Sequence, residues 1–420
     1  MQPSFRDRSL ALLAQIVAVT RPPENFYPQS VVILQPCGLG DVLLATPVIT
    51  AVRQAWPQAR IDFATGSSGQ PALAGHPELR RIVDTGRVGQ SAYSWSDVRR
   101  LANELRAQRY DLCLTLDRSP RVGIVPLLAG IPLRAGLDSA GRGFAHNVRV
   151  PVPAIRYEPE LYLDVARAVI RQTPRAKFEF TPSQFYPSAA DQAHVTDLLA
   201  GVPATHTVPA QGAELQATQG SAAGPLDQIA APERGTATPS STAPLIAIHA
   251  GDGANPYMIL PAQRWPPERF AAIADRLVEK YAAQVILTGS SSEAAITRAV
   301  REAMRQPVRD LTGRLTIGQL GALCQRCVLV LGNDSDVTRL ANAVDTPVVA
   351  LYGPSDPRIY GPYDARSLAL WHEVGCNPCA REGRSRPDCC SNGAIEAISV
   401  EECWQAVEIV LRRQGVVARP

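Results

Sequence analysis

Two hydrophobic rhythms alternate along the chain. Short, continuous apolar runs such as "SVVILQP", "ARIDFAT" and "DLCLTL" are separated by stretches with helical spacing, such as "LLATPVITAVRQAWP" and "SWSDVRRLANELRAQRY". Runs of this length and β-rich composition predict strands, and their alternation with helices predicts βα units on a parallel sheet. Val98, Leu101 and Leu105 share one helical face while Arg99, Arg100 and Glu104 fall on others, so a half-buried helix is expected there. The rhythm stops between about Thr205 and Ala243, a segment rich in Ala, Gly, Pro, Ser, Thr and Gln without an aromatic residue. Such a composition buries too little apolar area to offset its ordering entropy, and predicts a flexible connection. It resumes with "PLIAIHAG", "PPERFAAIADRLVEKY", "AQVILTG", "VLVLGNDS" and "TPVVALYG". The expectation is α/β: two doubly wound, Rossmann-like domains facing a cleft. The boundaries read as an N-terminal extension (1–29), a first domain (30–185), a linker (186–243) and a second domain (244–420).

Composition narrows the function classes. A chain of 420 residues with 45% hydrophobic content has room for two cores. Forty-two basic against 39 acidic side chains give a formal charge of only +3, without the strong basic excess of a nucleic-acid binder. Nine cysteines, an odd number scattered through a long chain, fit reduced thiols or a small metal site better than an extracellular disulfide framework, and so a cytoplasmic location. The apolar run from Leu10 to Val19 is broken by Gln15, lacks a cleavage-like pattern and falls short of the ~20 residues of a membrane span. A short amphipathic helix docked on its own protein or on a bilayer surface is expected there.

Ligands of open α/β sheets bind beyond the C-terminal ends of the strands, so the chemistry is sought there. "CGLGDVLLATP" puts Asp41 just past the first strand, beside Gly38 and Gly40, which permit close ligand approach. "GLGD" does not complete a G-x-G-x-x-G dinucleotide fingerprint. The competing reading makes Asp41 or Thr46 a cap of the next helix, with Pro47 at its first position. In "VLVLGNDSDVTRLANAV" a strand ends at Gly332 and a helix begins near Ser335, which aims its amides and positive dipole end into the cleft. That suits a phosphate or pyrophosphate, with Arg339 one turn in; Asp334 and Ser335 read equally as caps, and Asp334 as an acceptor for ligand hydroxyls. Arg264 and Trp265 precede a helix, and Glu293 follows a strand. This cation, aromatic and carboxylate suit a phosphate and the edges of a sugar or base.

With these stretches side by side, the chain resembles the bacterial lipopolysaccharide heptosyltransferases of glycosyltransferase family 9. The matching segments include "VVILQPCGLGDVLLATPVITAVRQAWPQARIDF", "DRSPRVGIVPLLAGIPLRAGLDSAGRG", "QRWPPERFAAIADRL" and "VLVLGNDSDVTRLANAVDTPVVALYGPSDPRIYGPYD". The resemblance implies a GT-B fold and inverting transfer of a heptose-like sugar from a nucleotide-sugar donor, ADP-heptose or similar, with no catalytic metal. Asp41 would be the general base. Gly40, Arg264, Glu293, Asp334, Ser335 and Arg339 would form the donor side, with the leaving nucleotide's charge stabilised at the helix start. The implied acceptor is a phosphorylated, lipid-linked saccharide of the cell envelope, met by Arg118, Arg121, Arg134 and Arg142. Each of these arginines also reads as a surface cation paired with a nearby acid. The work would be cytoplasmic, with peripheral contact at the inner membrane.

Three positions depart from the family pattern: Asp336 replaces a common glycine, Arg339 a histidine and Gln263 a lysine. Those at Asp336 and Gln263 support a reading of another class, a catalytically silent relative that binds nucleotide sugar or glycan in envelope assembly, whereas Arg339 offers a compensating cation. "CNPCAREGRSRPDCC" brings together Cys376, Cys379, Cys389 and Cys390. Four thiolates suit a structural zinc, but the adjacent pair serves one metal awkwardly. The comparable cysteine-rich loop of the family implies a local structural role. Cys324 and Cys327, three apart in an apolar helix, are expected to pack in the core.

Overall fold

The structure is a computed structural model that describes residues 25–90, 93–200, 243–251, 264–374 and 393–419. Its two lobes are built on six-stranded parallel sheets. The first holds β1 (Ser30–Leu34), β2 (Arg60–Thr65), β3 (Arg81–Asp84), β4 (Leu112–Thr115), β5 (Leu133–Asp138) and β6 (Val148–Pro151), in the order β3-β2-β1-β4-β5-β6. The second holds β7 (Leu245–His249), β8 (Gln284–Thr288), β9 (Arg309–Asp310), β10 (Leu329–Asn333), β11 (Val348–Tyr352) and β12 (Leu368–Trp371), in the order β12-β11-β10-β7-β8-β9. Each lobe is therefore doubly wound. The strand order reverses between β1 and β4 in one lobe and between β7 and β10 in the other, and those are the positions where such sheets open a ligand crevice. The central strands are buried throughout because helices cover both faces, which is why they read as unbroken apolar runs.

The helices are α1 (Leu39–Ala55), α2 (Trp95–Gln108), α3 (Pro120–Leu128), α4 (Glu158–Ile170), α5 (Ala189–Leu198), α6 (Pro267–Tyr281), α7 (Ala294–Ala303), α8 (Ile317–Arg326), α9 (Asp336–Ala343), α10 (Pro357–Tyr360), α11 (Gly393–Glu396) and α12 (Val400–Arg413). Helix α2 buries Val98, Leu101 and Leu105 as its spacing predicts, behind a capping box of Ser94 and Asp97. Helix α1 corrects the capping alternative at Thr46. It starts at Leu39, so Pro47 lies in its interior, where it lacks the N–H that the Leu43 carbonyl needs. The Thr46 hydroxyl takes over that duty, donating to Leu43 O at 2.8 Å while accepting from Gln184 N at 2.9 Å.

The linker expectation is corrected as well. Within 186–243 lies α5, opened by a Ser188/Asp191 capping box and docked against α8 of the second lobe. Residues 1–24 and 201–242 fall outside the described residues. One apolar core runs through both lobes, from Val31, Val42 and Leu161 through Phe185 to Leu320, Val330 and Leu340. Two further clusters cover the outer faces of the sheets. Cys324 and Cys327 are buried in the shared core.

Candidate active site between the lobes

The first turns of α1 and α9 meet across the gap between the lobes. Gly40, second residue of α1, lies so close to α9 that a side chain there would collide with Asp336 Oδ1 and stand 2.6 Å from Arg339 Nη1. Asp41 is the next residue, partly accessible, in the same first turn. Two positive helix ends thus converge on one spot, where an anion is favoured. The sequence separation of nearly three hundred residues is closed by topology: both helices follow strands at the two crevices.

Burial pushes the Asp41 carboxyl up to about 6; Arg339 pulls it back, Asp336 and Glu158 push it further, and Arg118 opposes them. Beside it, burial and Asp117 push the Cys37 thiol well up, and the thiol faces Asp117 Oδ2 at 3.6 Å. Arg118, just past β4, donates to Glu158 Oε2 at 2.7 Å. Glu158 opens α4 and is 1% exposed, so this ion pair sits on the wall of the first-lobe crevice.

On the second lobe, Arg339 is the central cation. Its Nη2 lies 3.0 Å from Asp334 Oδ1, its Nη1 3.7 Å from Asp336 Oδ1, and its guanidinium stands 5.4 Å from the Tyr360 ring centroid. Asp334 also accepts from Ser355 Oγ at 2.5 Å. Ser335 precedes α9, and its buried hydroxyl has no hydrogen-bond partner among the described residues. Asn333 fixes the strand ends, receiving Trp265 N at 3.0 Å and donating to Ala250 O and Gly251 O. At the mouth of β7, His249 Nε2 lies 3.6 Å from Glu293 Oε1. Burial alone would raise Glu293, but hydrogen bonds from His249 and Ser290 outweigh it and hold the carboxyl at about 2.

Most of the expected residues share this region. Gly40, Asp41, Asp334, Ser335 and Arg339 are in one cluster, Arg118 lines the first-lobe crevice, and Glu293 sits at the β7–β8 strand ends. Arg264 precedes Trp265, at the entry to α6. Trp265 itself is fully buried and donates to Ile398 O at 2.9 Å, so it is a core residue and not a stacking platform. Arg121 is exposed beside Tyr93, and Arg142 lies in the turn after β5. Arg134 corrects the acceptor expectation. It is at the N-terminal end of β5, opposite the strand ends that open on the cleft, and its guanidinium donates to Ala145 O at 3.0 Å and Ile131 O at 2.6 Å. Gln263 and the four loop cysteines, Cys376, Cys379, Cys389 and Cys390, lie outside the described residues.

Sequence reading misses Glu158, Asp117, Asn333 and Ser355. Asn333 and Ser355 stand inside quoted motifs, whereas Glu158 carries no local signal because its partner arrives from another strand end. Among the described residues no helix is long and apolar enough to cross a membrane.

Comparison with known proteins agrees with this architecture. The family model for glycosyltransferase family 9 (heptosyltransferase) matches residues 98–389. Lipopolysaccharide heptosyltransferase 2 of Escherichia coli (strain K12) is 26% identical over 360 residues, covering 82% of this chain and 90% of that protein. Lipopolysaccharide heptosyltransferase 2 of Salmonella typhimurium (strain LT2) is 27% identical over 361 residues, with coverages of 82% and 90%. Among solved structures, the glycosyl transferase family 9 from Veillonella parvula DSM 2008 superposes with a TM-score of 0.68 at 21% identity, covering 94% of this chain and 100% of that one. E. coli ADP-heptose lps heptosyltransferase II superposes with a TM-score of 0.64 at 21% identity, covering 92% and 99%. The two facing lobes are a GT-B fold, and the chain is a glycosyltransferase that belongs to family 9, the heptosyltransferases.

Proposed function

We propose that this glycosyltransferase inverts the anomeric centre of a heptose-like sugar as it moves it from a nucleotide-activated donor, ADP-heptose or similar, to a phosphorylated, lipid-linked saccharide of the lipopolysaccharide type. The observation that carries the reading is the meeting of the first turns of α1 and α9, which sets Asp41 opposite an amide-lined helix start. The names of the relatives support the donor and acceptor classes.

In this scheme the acceptor hydroxyl oxygen attacks the anomeric carbon while Asp41 takes its proton. The bond from that carbon to the nucleotide's phosphate oxygen breaks on the opposite face, and the electron pair leaves with the diphosphate. The amides at the start of α9, the Ser335 hydroxyl and Arg339 meet the developing charge. A carboxyl near 6 is ionised at neutral pH yet basic enough to accept a proton in the transition state. Glu293 and Arg264 serve the nucleoside end. Arg118, Arg121 and Arg142 serve the acceptor's phosphates, and the reaction runs in the cytoplasm beside the membrane that carries the acceptor.

The test is nucleotide release from ADP-, GDP- and UDP-sugars with a truncated lipopolysaccharide acceptor, together with the product's anomeric configuration. Acceptor-dependent release by the wild type, lost in Asp41→Ala with donor binding retained, is expected. A retained anomeric configuration would refute the inverting step. Donor binding without transfer to any acceptor would favour the silent-relative reading, to which Asp336 beside a diphosphate site lends its charge argument.

A further inference from the structure

The departure at Asp336 has a specific place in the cleft. Asp336 is the first residue of α9, so its carboxylate sits at the positive helix end where an incoming phosphate would go. The Gly40 amide, from the other lobe, donates toward the same carboxylate. Arg339 is shared between Asp334 at 3.0 Å and Asp336 at 3.7 Å. Three carboxylates, Asp41, Asp334 and Asp336, surround this single guanidinium. The positive partners a diphosphate needs here are therefore engaged by the chain's own acids. The contact lies at the tips of α1 and α9, which pack directly on one another behind it and place Val42, Leu43, Val337 and Leu340 in the core that the lobes share with Phe185.

We propose that Asp336 is a resident stand-in for the donor's phosphate: it clasps the lobes through Gly40 and Arg339, and the donor must displace it to bind. Asp336 is thus a positioning residue that sets donor affinity. The inference rests on the reading of α9 as the donor-phosphate site.

The experiment measures ADP binding by calorimetry and the radius of gyration by solution scattering for the full-length wild type, Asp336→Asn and Gly40→Ala. Circular dichroism of each variant checks that it is folded. Asp336→Asn removes the like charge and is expected to bind ADP about ten-fold tighter. Both variants are expected to be more extended than the wild type without nucleotide, Gly40→Ala because its methyl group lands on Asp336 and Arg339. Equal or weaker ADP binding by Asp336→Asn overturns the stand-in role, and identical scattering from all three proteins overturns the clasp. If ADP binds to none of them, the donor reading of α9 fails on its own, and scattering alone decides the clasp: expansion in both variants supports it and no change refutes it.

Discussion

At the scale of single residues, the cleft combines ionisable groups whose environments oppose one another. Asp41 is held up by burial, while Arg339 and Arg118 pull it down. Because the folded value of about 6 exceeds the ordinary 3.8, the folded state binds this proton more tightly than the unfolded chain does. The stability that goes with the protonated form is complete below the unfolded value and is lost as pH rises through about 6. Asp41→Asn should therefore raise stability at about pH 7 by about 3 kcal/mol and leave it unchanged at about pH 3, below the unfolded value, read as denaturant midpoints at both pH values. The same variant should lose about 10²- to 10⁴-fold in turnover, and the wild-type rate should fall below about pH 6 as the base is protonated. A variant less stable at neutral pH would mean that Asp41 holds the fold instead of the reaction. Asp41 was legible as a lone acid among glycines and aliphatics. Its neighbours Glu158, Arg118 and Arg339 were not legible as neighbours, because each comes from a different strand end and only the strand order brings them together.

At the scale of elements, local patterning succeeds where burial is strong and fails where docking or a side chain substitutes for it. The strand "VVIL" and helix α2 announce themselves by periodicity. Helix α5 does not: Val195 is its only buried residue, so its position depends on α8 and not on an apolar stripe of its own. Helix α1 misleads for another reason, since Thr46–Pro47 is the signature of a helix start and here marks a repair inside one. The repair makes a prediction. Thr46→Val keeps the shape but strands the Leu43 carbonyl and the Gln184 amide, at a cost of about 2 kcal/mol in urea unfolding. Pro47→Ala returns the missing N–H, so adding it to Thr46→Val should recover about 1 kcal/mol, and a double-mutant cycle should show that coupling. Strictly additive effects would refute the repair.

At the scale of the whole molecule, the two-lobe plan is readable because each central strand is apolar on both faces, but the joint between the lobes is not. Beside the packing of α1 on α9, it is made by two consecutive residues that face opposite ways. Gln184 gives its backbone amide to Thr46 of α1 in the first lobe, and Phe185 gives its own to Ala343 O at the end of α9, at 2.9 Å, while its ring lies against Gly321 of α8. Nothing in "PSQFYP" distinguishes this from an ordinary connecting segment. Since the ring belongs to the core shared by both lobes, the lobes should unfold together. Phe185→Ala should cost about 3–5 kcal/mol through the cavity it leaves. It should also separate the two lobes' transitions, so that the calorimetric enthalpy exceeds the van't Hoff value, whereas the two agree in the wild type. The tryptophans allow the lobes to be followed separately: Trp56 reports on the first, and Trp265 and Trp404 are buried in the second. A lower midpoint with all probes still coincident would move the coupling from Phe185 to the direct packing of α1 on α9. In that case the clasp at the helix tips and the joint between the lobes would be parts of one interface, and opening the cleft would weaken the fold itself.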